Sequence, residues 1–545
     1  MGAQGTRMAS ATLFRNARIY SPDRPLASAL VTIDSRIGYV GSIDEARGFA
    51  TGAREVDLGG RLLTPAFVDA HLHVIQTGQL ISGLDLHGAR SLDQVLHRLT
   101  SYAARHPNRR VIVGQGWDER HWPDPRPPTR AELDRAAAGI AVYLARVDVH
   151  SAVVSTALVD QLPEIAALEG YRADGLLTRQ AHHLVRGRMD RLFSDGERRA
   201  DAATALNRSA AAGIGTVHDM AGPDLGPIED IARVREAGAE QGIEVISYWG
   251  ELATAETLAK ARSVGAAGLA GDLCVDGALG SRTAALFEPY VDQAEGSMDR
   301  GVRYLSDEQI ADHIAECTAA EVQAGFHCIG DEAVAAAVQG FRKAASTVGV
   351  AALRRNRHRL EHLEMAGDAE IAALAEYGVV ASMQPAFDAV WGGPGELYEQ
   401  RLGTARAAAM NRCGSLHRAG VQLAFGTDSP VTPIAGWETV RAAVRHWQPR
   451  ERLSVGDALA AATVGGHRAG RVDDAGLLLP GWRANFAIWE GDVGSAPAAN
   501  LLPNIDADEV RPACWATVVA GRQIYGPDDS GLPRYEDPGR SCGPR

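Results

Sequence analysis

The 545-residue sequence lacks closely spaced cysteines: Cys274, Cys317, Cys328, Cys413, Cys514 and Cys542 lie far apart, and none forms a C-x-x-C pair. Neither a disulfide framework nor a zinc ribbon is indicated, and a reducing compartment, the cytoplasm, fits best. No stretch approaches the ~18 consecutive apolar residues of a membrane span. The opening segment, MGAQGTRMASATLF, carries no apolar run of the kind a secretory signal needs. Basic excess is also missing: 55 Lys and Arg stand against 68 Asp and Glu, a formal net charge of -13. A polyanion-binding surface needs the opposite balance, so nucleic acid is not an expected partner. There is no internal repeat, and low complexity is confined to a polar tail after about residue 527.

What remains is the composition of a soluble globular protein, 46% hydrophobic and 23% charged. The length exceeds one compact core and implies a large domain with a smaller one. Both ends read as short strands with turns. ATLFRNARIY and ALVTIDSRIGYVGS alternate around Asp34-Ser35, while ANFAIWE and WATVVAGRQIYG repeat the texture with a turn at Ala520-Gly521. Two such halves are each too short to bury a core and are expected to pair into one sandwich. Between them, apolar strands that end in polar residues alternate with helical stretches: RLLTPAFVDAH, GIGTVHD, IEVISYWG, DLCVDG, AGFHCIGD, HRLEHLE, VVASMQP and VQLAFGTD. Capping boxes at Thr129/Glu132 and Ser306/Gln309 mark two helix starts. Eight strands over about 400 residues predict a (β/α)8 TIM barrel. The expected α/β organisation is a β-sandwich part at 1–63, a barrel at 64–473 with an insertion at about 75–210, and a second sandwich part plus tail at 474–545.

The sharpest chemical signal is V-D-A-H-L-H at 68–73. Residues i and i+2 of a strand share a side, so His71 and His73 can aim two imidazoles at one ion from the C-terminal mouth of a barrel. Four more strand ends carry ligand-type residues: His218, His327, His362 and Asp428. Imidazole with carboxylate suits zinc, and also iron or manganese. His218 reads better as a hydrogen-bonded strand end than as a ligand.

These strand ends, in this order, resemble the amidohydrolase superfamily, in its branch containing N-substituted formamide deformylase. The residues that carry the likeness are TPAFVDAHLH, GWDERHWP, LARVDVHSAVVSTAL, DGALGSRTAALFEPYVD, HCIGDEAV, HRLEHLE, SMQPAF and FGTDSPV, extended by ERLSVGDALAAAT and GLLLPGWRANFAIW. The resemblance spans about residues 12–526 and implies a divalent metal, zinc first, held by His71, His73, His327, His362 and Asp428. Asp428 would take a proton from the attacking water, while His362 ligates or orients that water. Relatives with two metals have a lysine four residues before the Asp-Gly of strand 4, and here that position is Asp272. Its arm is short for a bridge, so one ion is favoured over two, with Asp272 a tentative ligand and Asp276 a substitute bridge. A second departure, Asn485 where the family has Asp, belongs to the sandwich.

For substrate contacts the resemblance points to Trp117, Asp118 and His150 in the insertion, together with Arg146 and Asp148, which equally suit a bracing ion pair. Arg282 suits an anionic substrate group or a partner such as Glu288, and Gln384 a substrate or the backbone. Strand alternation turns Glu361 away from its neighbour His362, a structural position. The expected activity is hydrolysis of a non-peptide C–N bond in a small amide or formamide-like molecule. A mononuclear deaminase of aminated heterocycles is a rival, weakened because the acids after His327 are Asp331 and Glu332, four and five residues on. A degenerate, non-catalytic metal-binding protein is another. The expected partner is a small-molecule substrate, with no membrane and room for a homodimer.

Overall fold

The computed structural model describes residues 10–293, 296–490, 502–503, 505 and 511–535. Residues 1–9, Cys542 and the end of the polar tail lie outside the described residues.

Four sheets organise the chain. The N-terminal strands β1 (Ala11–Arg15), β3 (Ala29–Ile33), β4 (Arg36–Gly41) and β5 (Arg54–Asp57) form one in the order β4-β3-β1-β5. The β3–β4 hairpin turns where expected, with Asp34 in the left-handed region at φ 52° and Ile33 opposite Arg36. The second sheet draws on both chain ends: β2 (Arg18–Ile19), β6 (Leu62–Pro65), β20 (Phe486–Trp489), β21 (Cys514–Val519) and β22 (Arg522–Tyr525), in the order β2-β6-β20-β21-β22. β6 and β20 pair antiparallel, so residues more than 400 positions apart share a ladder. Phe14 and Leu30 of the first sheet pack with Phe486, Ile488 and Val518 of the second. The two sheets thus bury one core, as a joint sandwich requires. Asn485 sits in it, its Oδ1 accepting from the Ala520 N–H at 2.8 Å.

The third sheet is the barrel. Its eight parallel strands are β7 (Phe67–Leu72), β13 (Ile214–Ala221), β14 (Glu244–Trp249), β15 (Gly268–Leu269), β16 (Gln323–Cys328), β17 (Arg359–His362), β18 (Val380–Met383) and β19 (Leu423–Phe425). Closure comes at the rim, where the His73 N–H donates to Ser429 O at 2.9 Å and the Asp428 N–H to His71 O at 2.7 Å. Every residue of β7, β16, β17 and β18 is buried, because helices cover the outer face and side chains fill the lumen. The capping box predicted at Ser306/Gln309 starts the helix Asp307–Ala319.

The stretch between β7 and β13 carries the fourth sheet, β8 (Leu84–Asp85), β9 (Val111–Trp117), β10 (Ala141–Arg146), β11 (Ala152–Val154) and β12 (Leu176–Leu177), in the order β12-β11-β10-β9-β8. It buries its own apolar cluster around Val95, Ile112, Trp117 and Leu144. The predicted capping box at Thr129/Glu132 opens its helix Arg130–Ala136. Among the described residues no helix is long and apolar enough to cross a membrane.

Candidate metal centre and active site

β7 ends at the barrel mouth with His71 and His73, both buried. The Nδ1 of His71 lies 2.8 Å from Glu361 Oε2, and that of His73 lies 2.8 Å from Met220 O. Both partners only accept, so each ring carries a proton on Nδ1 and turns its Nε2 to the lumen. His362 repeats the arrangement, its Nδ1 donating to Gln384 Oε1 at 2.8 Å. Partners of this kind fix the tautomer and orientation of metal-binding imidazoles.

Two carboxylates meet these nitrogens. Asp428 Oδ1 lies 3.4 Å from His71 Nε2 and 3.0 Å from His73 Nε2. Asp272 Oδ1 is 3.5 Å from His71 Nε2, and its Oδ2 is 3.5 Å from His73 Nε2. His71, His362 and Asp428 form one compact group, and His71, His73 and Asp272 a second that shares His71. His327 closes the cluster, its ring centroid 4.4 Å from that of His362. The structure therefore brings all six expected ligands to one place.

The expected strand DLCVDG is not one: β15 ends at Leu269, before Asp272, and the chain turns at Gly271, φ 81°. That turn brings the Asp272 carboxylate within 3.5 Å of His71 Nε2 and of His73 Nε2. Asp276 does not substitute for it. Its carboxylate accepts from the backbone N–H groups of Ile329, Gly330 and Ala285 at 3.0, 2.8 and 2.8 Å, and it braces the loop after His327.

A divalent ion fits this set. His71 Nε2, His362 Nε2, Asp272 Oδ1 and Asp428 Oδ1 are buried with no hydrogen-bond partner among the described residues. Orphaned buried polar atoms cost free energy, and a cation would satisfy all four at once. The donors are imidazole nitrogen and carboxylate oxygen, a set that suits zinc, iron(II) or manganese.

The electrostatics agree with a polyanionic cluster. Burial by itself would raise the Asp428 carboxyl, but His71 and His73 outweigh it and hold Asp428 well below the usual range. Burial would lower His71 and His73, yet Asp428 foremost for the first and Asp272 for the second raise them. His150, whose ring centroid is 5.2 Å from that of His327, is pushed down to about 4 by burial, against the pull of Asp148 and with the help of the Arg186 charge.

Beneath the cluster lies a floor that strand alternation alone misplaces. Glu361 is fully buried in the lumen, holding His71 and pairing with Arg359, whose Nε approaches Glu361 Oε1 at 2.5 Å. Arg359 also donates to His218 Nδ1 at 2.9 Å, Ala70 O at 2.6 Å and Ser382 Oγ at 2.9 Å, tying four strands. Glu361 points inward, and His362 still reaches the site because its backbone is left-handed, φ 72°. His218 is engaged by Arg359, in keeping with its reading as a hydrogen-bonded strand end.

Several expected substrate contacts lie elsewhere. Trp117 packs in the core of the inserted sheet, its Nε1 donating to Leu144 O at 3.0 Å, and is not at the cavity that holds the histidines. Asp118 is held by Arg120 at 2.7 Å and Arg146 at 3.3 Å. Arg146 also pairs with Asp148 at 3.2 Å, the bracing alternative, although Asp148 still borders the cavity. Arg282 pairs with Asp292 at 2.8 Å rather than with Glu288 or a free anion site. Gln384 orients His362, a role between the two considered. His150 does line the cavity, a space of about 480 Å³ that also meets His73, Asp272, His327, His362 and Asp428. Sequence reasoning gave Glu361 only a structural place and missed Glu364 and Tyr398; Glu364 borders the same cavity and burial pushes it up to about 8. The acid pair in R-L-E-H-L-E was the signal that could have found the first two.

The amidohydrolase family model matches residues 54–525. Over 94% of this chain and 91% of its own length, LONG AFTER FAR-RED 3 of Arabidopsis thaliana is 26% identical. N-substituted formamide deformylase of Arthrobacter pascens is 23% identical over 88% of this chain and 92% of its own. A metal-dependent hydrolase of Pyrococcus furiosus superposes with a TM-score of 0.67 at 26% identity, covering 88% of this chain and 98% of that one.

Proposed function

The chain belongs to the amidohydrolase family, and on that premise we propose that it hydrolyses the C–N bond of a small amide or formamide-like molecule at the cluster of His71, His73, Asp272, His327, His362 and Asp428. It is a hydrolase of carbon–nitrogen bonds other than peptide bonds. One observation carries the finer reading: imidazole Nε2 atoms locked into one tautomer and two unpartnered carboxylates converge on a single cavity. The deformylase likeness supports a formamide-like substrate.

The ion would be held by the three oriented histidines with His327, Asp272 and Asp428; zinc is favoured, as one equivalent. When bound, a divalent ion brings the pKa of a water towards 7 and polarises a carbonyl oxygen. Asp428, kept ionised beside His71 and His73, accepts the proton of the attacking water and passes it to the departing nitrogen. Gln384 and Glu361 keep His362 and His71 turned to the substrate side. His150 is neutral at pH 7 and adds a hydrogen-bonding group without a positive charge. The deaminase alternative has less support, since Asp331 is taken up by the Phe287 N–H at 3.0 Å. A cytoplasmic location, suggested by the widely spaced cysteines of the sequence, belongs to the same proposal.

The test is a panel of N-substituted formamides, other amides and aminated heterocycles, run on metal-loaded protein with metal content measured. Asp428→Asn is expected to keep metal and to lose roughly 10²–10⁴-fold in turnover. Near wild-type turnover in that variant would overturn the assignment of the base. Ammonia release from heterocycles alone would favour the deaminase.

A further inference from the structure

The cavity at the histidines adjoins a larger one. A space of about 700 Å³ lies between the barrel mouth and the inserted sheet, sharing His73 and Val149 with the first. Its walls are largely apolar, with Leu80, Val113, Ala145, Val149, Met189 and Leu225 on them. A largely apolar space here can take an apolar substituent of a substrate whose scissile bond lies at His73.

Three charged side chains besides His73 border that space: Arg186, Arg198 and Asp224. Two are spoken for. Arg198 donates from Nε to Asp230 Oδ1 at 2.9 Å, and Asp224 Oδ2 meets His183 Nδ1 at 2.7 Å. Arg186, on the helix Arg179–Arg188 of the insertion, has neither an ion pair nor a hydrogen bond among the described residues, although it is half-buried. A second donor is also unclaimed. Gln115, 8% exposed, borders the same space and its Nε2 has no hydrogen-bond partner among the described residues. Among the other polar groups, Tyr143 Oη lies 2.9 Å from His182 Nε2 and Gln76 Nε2 donates to Leu225 O at 3.0 Å.

We infer that Arg186, with the Gln115 amide, anchors a carboxylate on the substrate, so that the preferred substrates are N-acyl compounds that pair an apolar body with an anionic group. A guanidinium left unpaired beside an apolar wall can take a carboxylate, the group whose planar oxygens match its fork. Arg186 is the wall's unpaired arginine among the described residues, and the Gln115 amide can present its NH2 to the same group. Arg282, where the sequence suggested an anion site, is closed by Asp292, so the anion-recognising cation belongs to the insertion instead. This inference rests on the reading of the histidine cluster as a C–N hydrolase centre, because that reading places the reacting bond at His73.

The test uses full-length, metal-loaded protein and two probes of one skeleton, N-benzoylglycine and its neutral amide N-benzoylglycinamide, followed by calorimetric titration and, where turnover occurs, by kcat/KM. The wild type is expected to favour the carboxylate by roughly 10- to 100-fold, the worth of a charge-assisted hydrogen-bond pair. Arg186→Gln is expected to bring that ratio towards one, Arg186→Lys to keep part of it, and Gln115→Leu to reduce it. Thermal midpoints of the Arg186 variants should stay near that of the wild type, since the side chain makes no described contact that folding needs. Equal affinity for the two probes in the wild type overturns the inference. A preference that survives Arg186→Gln overturns it too, and shows that the carboxylate sits on the metal. No binding of either probe at millimolar concentration also counts against it. If the preference is present but no amide in the panel is cleaved, the catalytic reading fails while the anion anchor stands; cleavage without preference gives the reverse.

Discussion

At the scale of single residues the site is governed by what stands behind each imidazole. Glu361 serves two charges: it accepts from His71 and neutralises the buried Arg359. Glu361→Gln is expected to weaken metal affinity by roughly 10–100-fold, the usual cost of losing the group that orients a ligand. It should also lower stability by about 3–5 kcal/mol, because Arg359 loses its counter-charge inside the barrel. Metal competition and thermal melts measure the two effects separately, and a variant with wild-type values in both would show that Glu361 is a bystander. Protons compete for the same nitrogens. His71 and His73 are raised in the metal-free protein, since Asp428 and Asp272 outweigh burial. A raised histidine contributes stability that is complete below the unfolded value of about 6.5 and fades as pH rises through the folded value. Metal needs the neutral rings, so the stability it adds must grow in the opposite direction. The difference in thermal midpoint between loaded and chelated protein should therefore be larger at about pH 8 than at about pH 5.5; an equal or reversed difference would mean that these histidines are not ligands.

Elements act through the surfaces they share. The sandwich meets the barrel at Trp489 of β20, among other contacts. Its ring lies 5.6 Å from that of Phe67 and 5.5 Å from that of Trp437, and its Nε1 donates to Thr64 Oγ1 at 2.9 Å. Gly213, at φ 80°, is required there, because a Cβ would fall 2.2 Å from the Trp489 ring. Trp489→Ala is expected to cost about 3–5 kcal/mol and to lower the thermal midpoint, by removing a large buried side chain from a junction that cannot collapse. Because β7, which carries His71, begins at Phe67, the variant should also hold metal less firmly. Full metal content with a wild-type midpoint would show that the sandwich is an appendage without influence on the barrel.

For the molecule as a whole, the two chain ends are one structural unit. A chain cut after residue 473 would leave β6 without β20 and half of the sandwich core without its partner sheet. An exposed apolar sheet edge recruits other chains, so this truncation is expected to be insoluble or aggregated where the full chain is monodisperse. Size-exclusion chromatography of the two forms decides it, and a soluble, metal-loaded truncation would show that the barrel stands alone.

The sequence determined by itself the strand-helix alternation, the sandwich texture of both ends and five ligand-bearing strand ends in barrel order, because these depend on local periodicity and on the direction of parallel strands. Metal ligands were legible for the same reason: a strand must end where its ligand is presented. Tertiary structure alone decided the rest. Alternation turned Glu361 away from the lumen, and only the left-handed backbone at His362 lets both neighbours face the site. Asp272 was placed on a strand that in fact stops at Leu269, so its approach to His71 and His73 was not legible. Trp117 and Arg282 looked like cavity walls because a motif carries no record of which side of an inserted sheet faces the barrel, or of Asp292 lying within reach of a guanidinium ten residues away. Arg186 had no signal at all, since a missing partner is a property of the packed surroundings and is written in no single stretch of sequence.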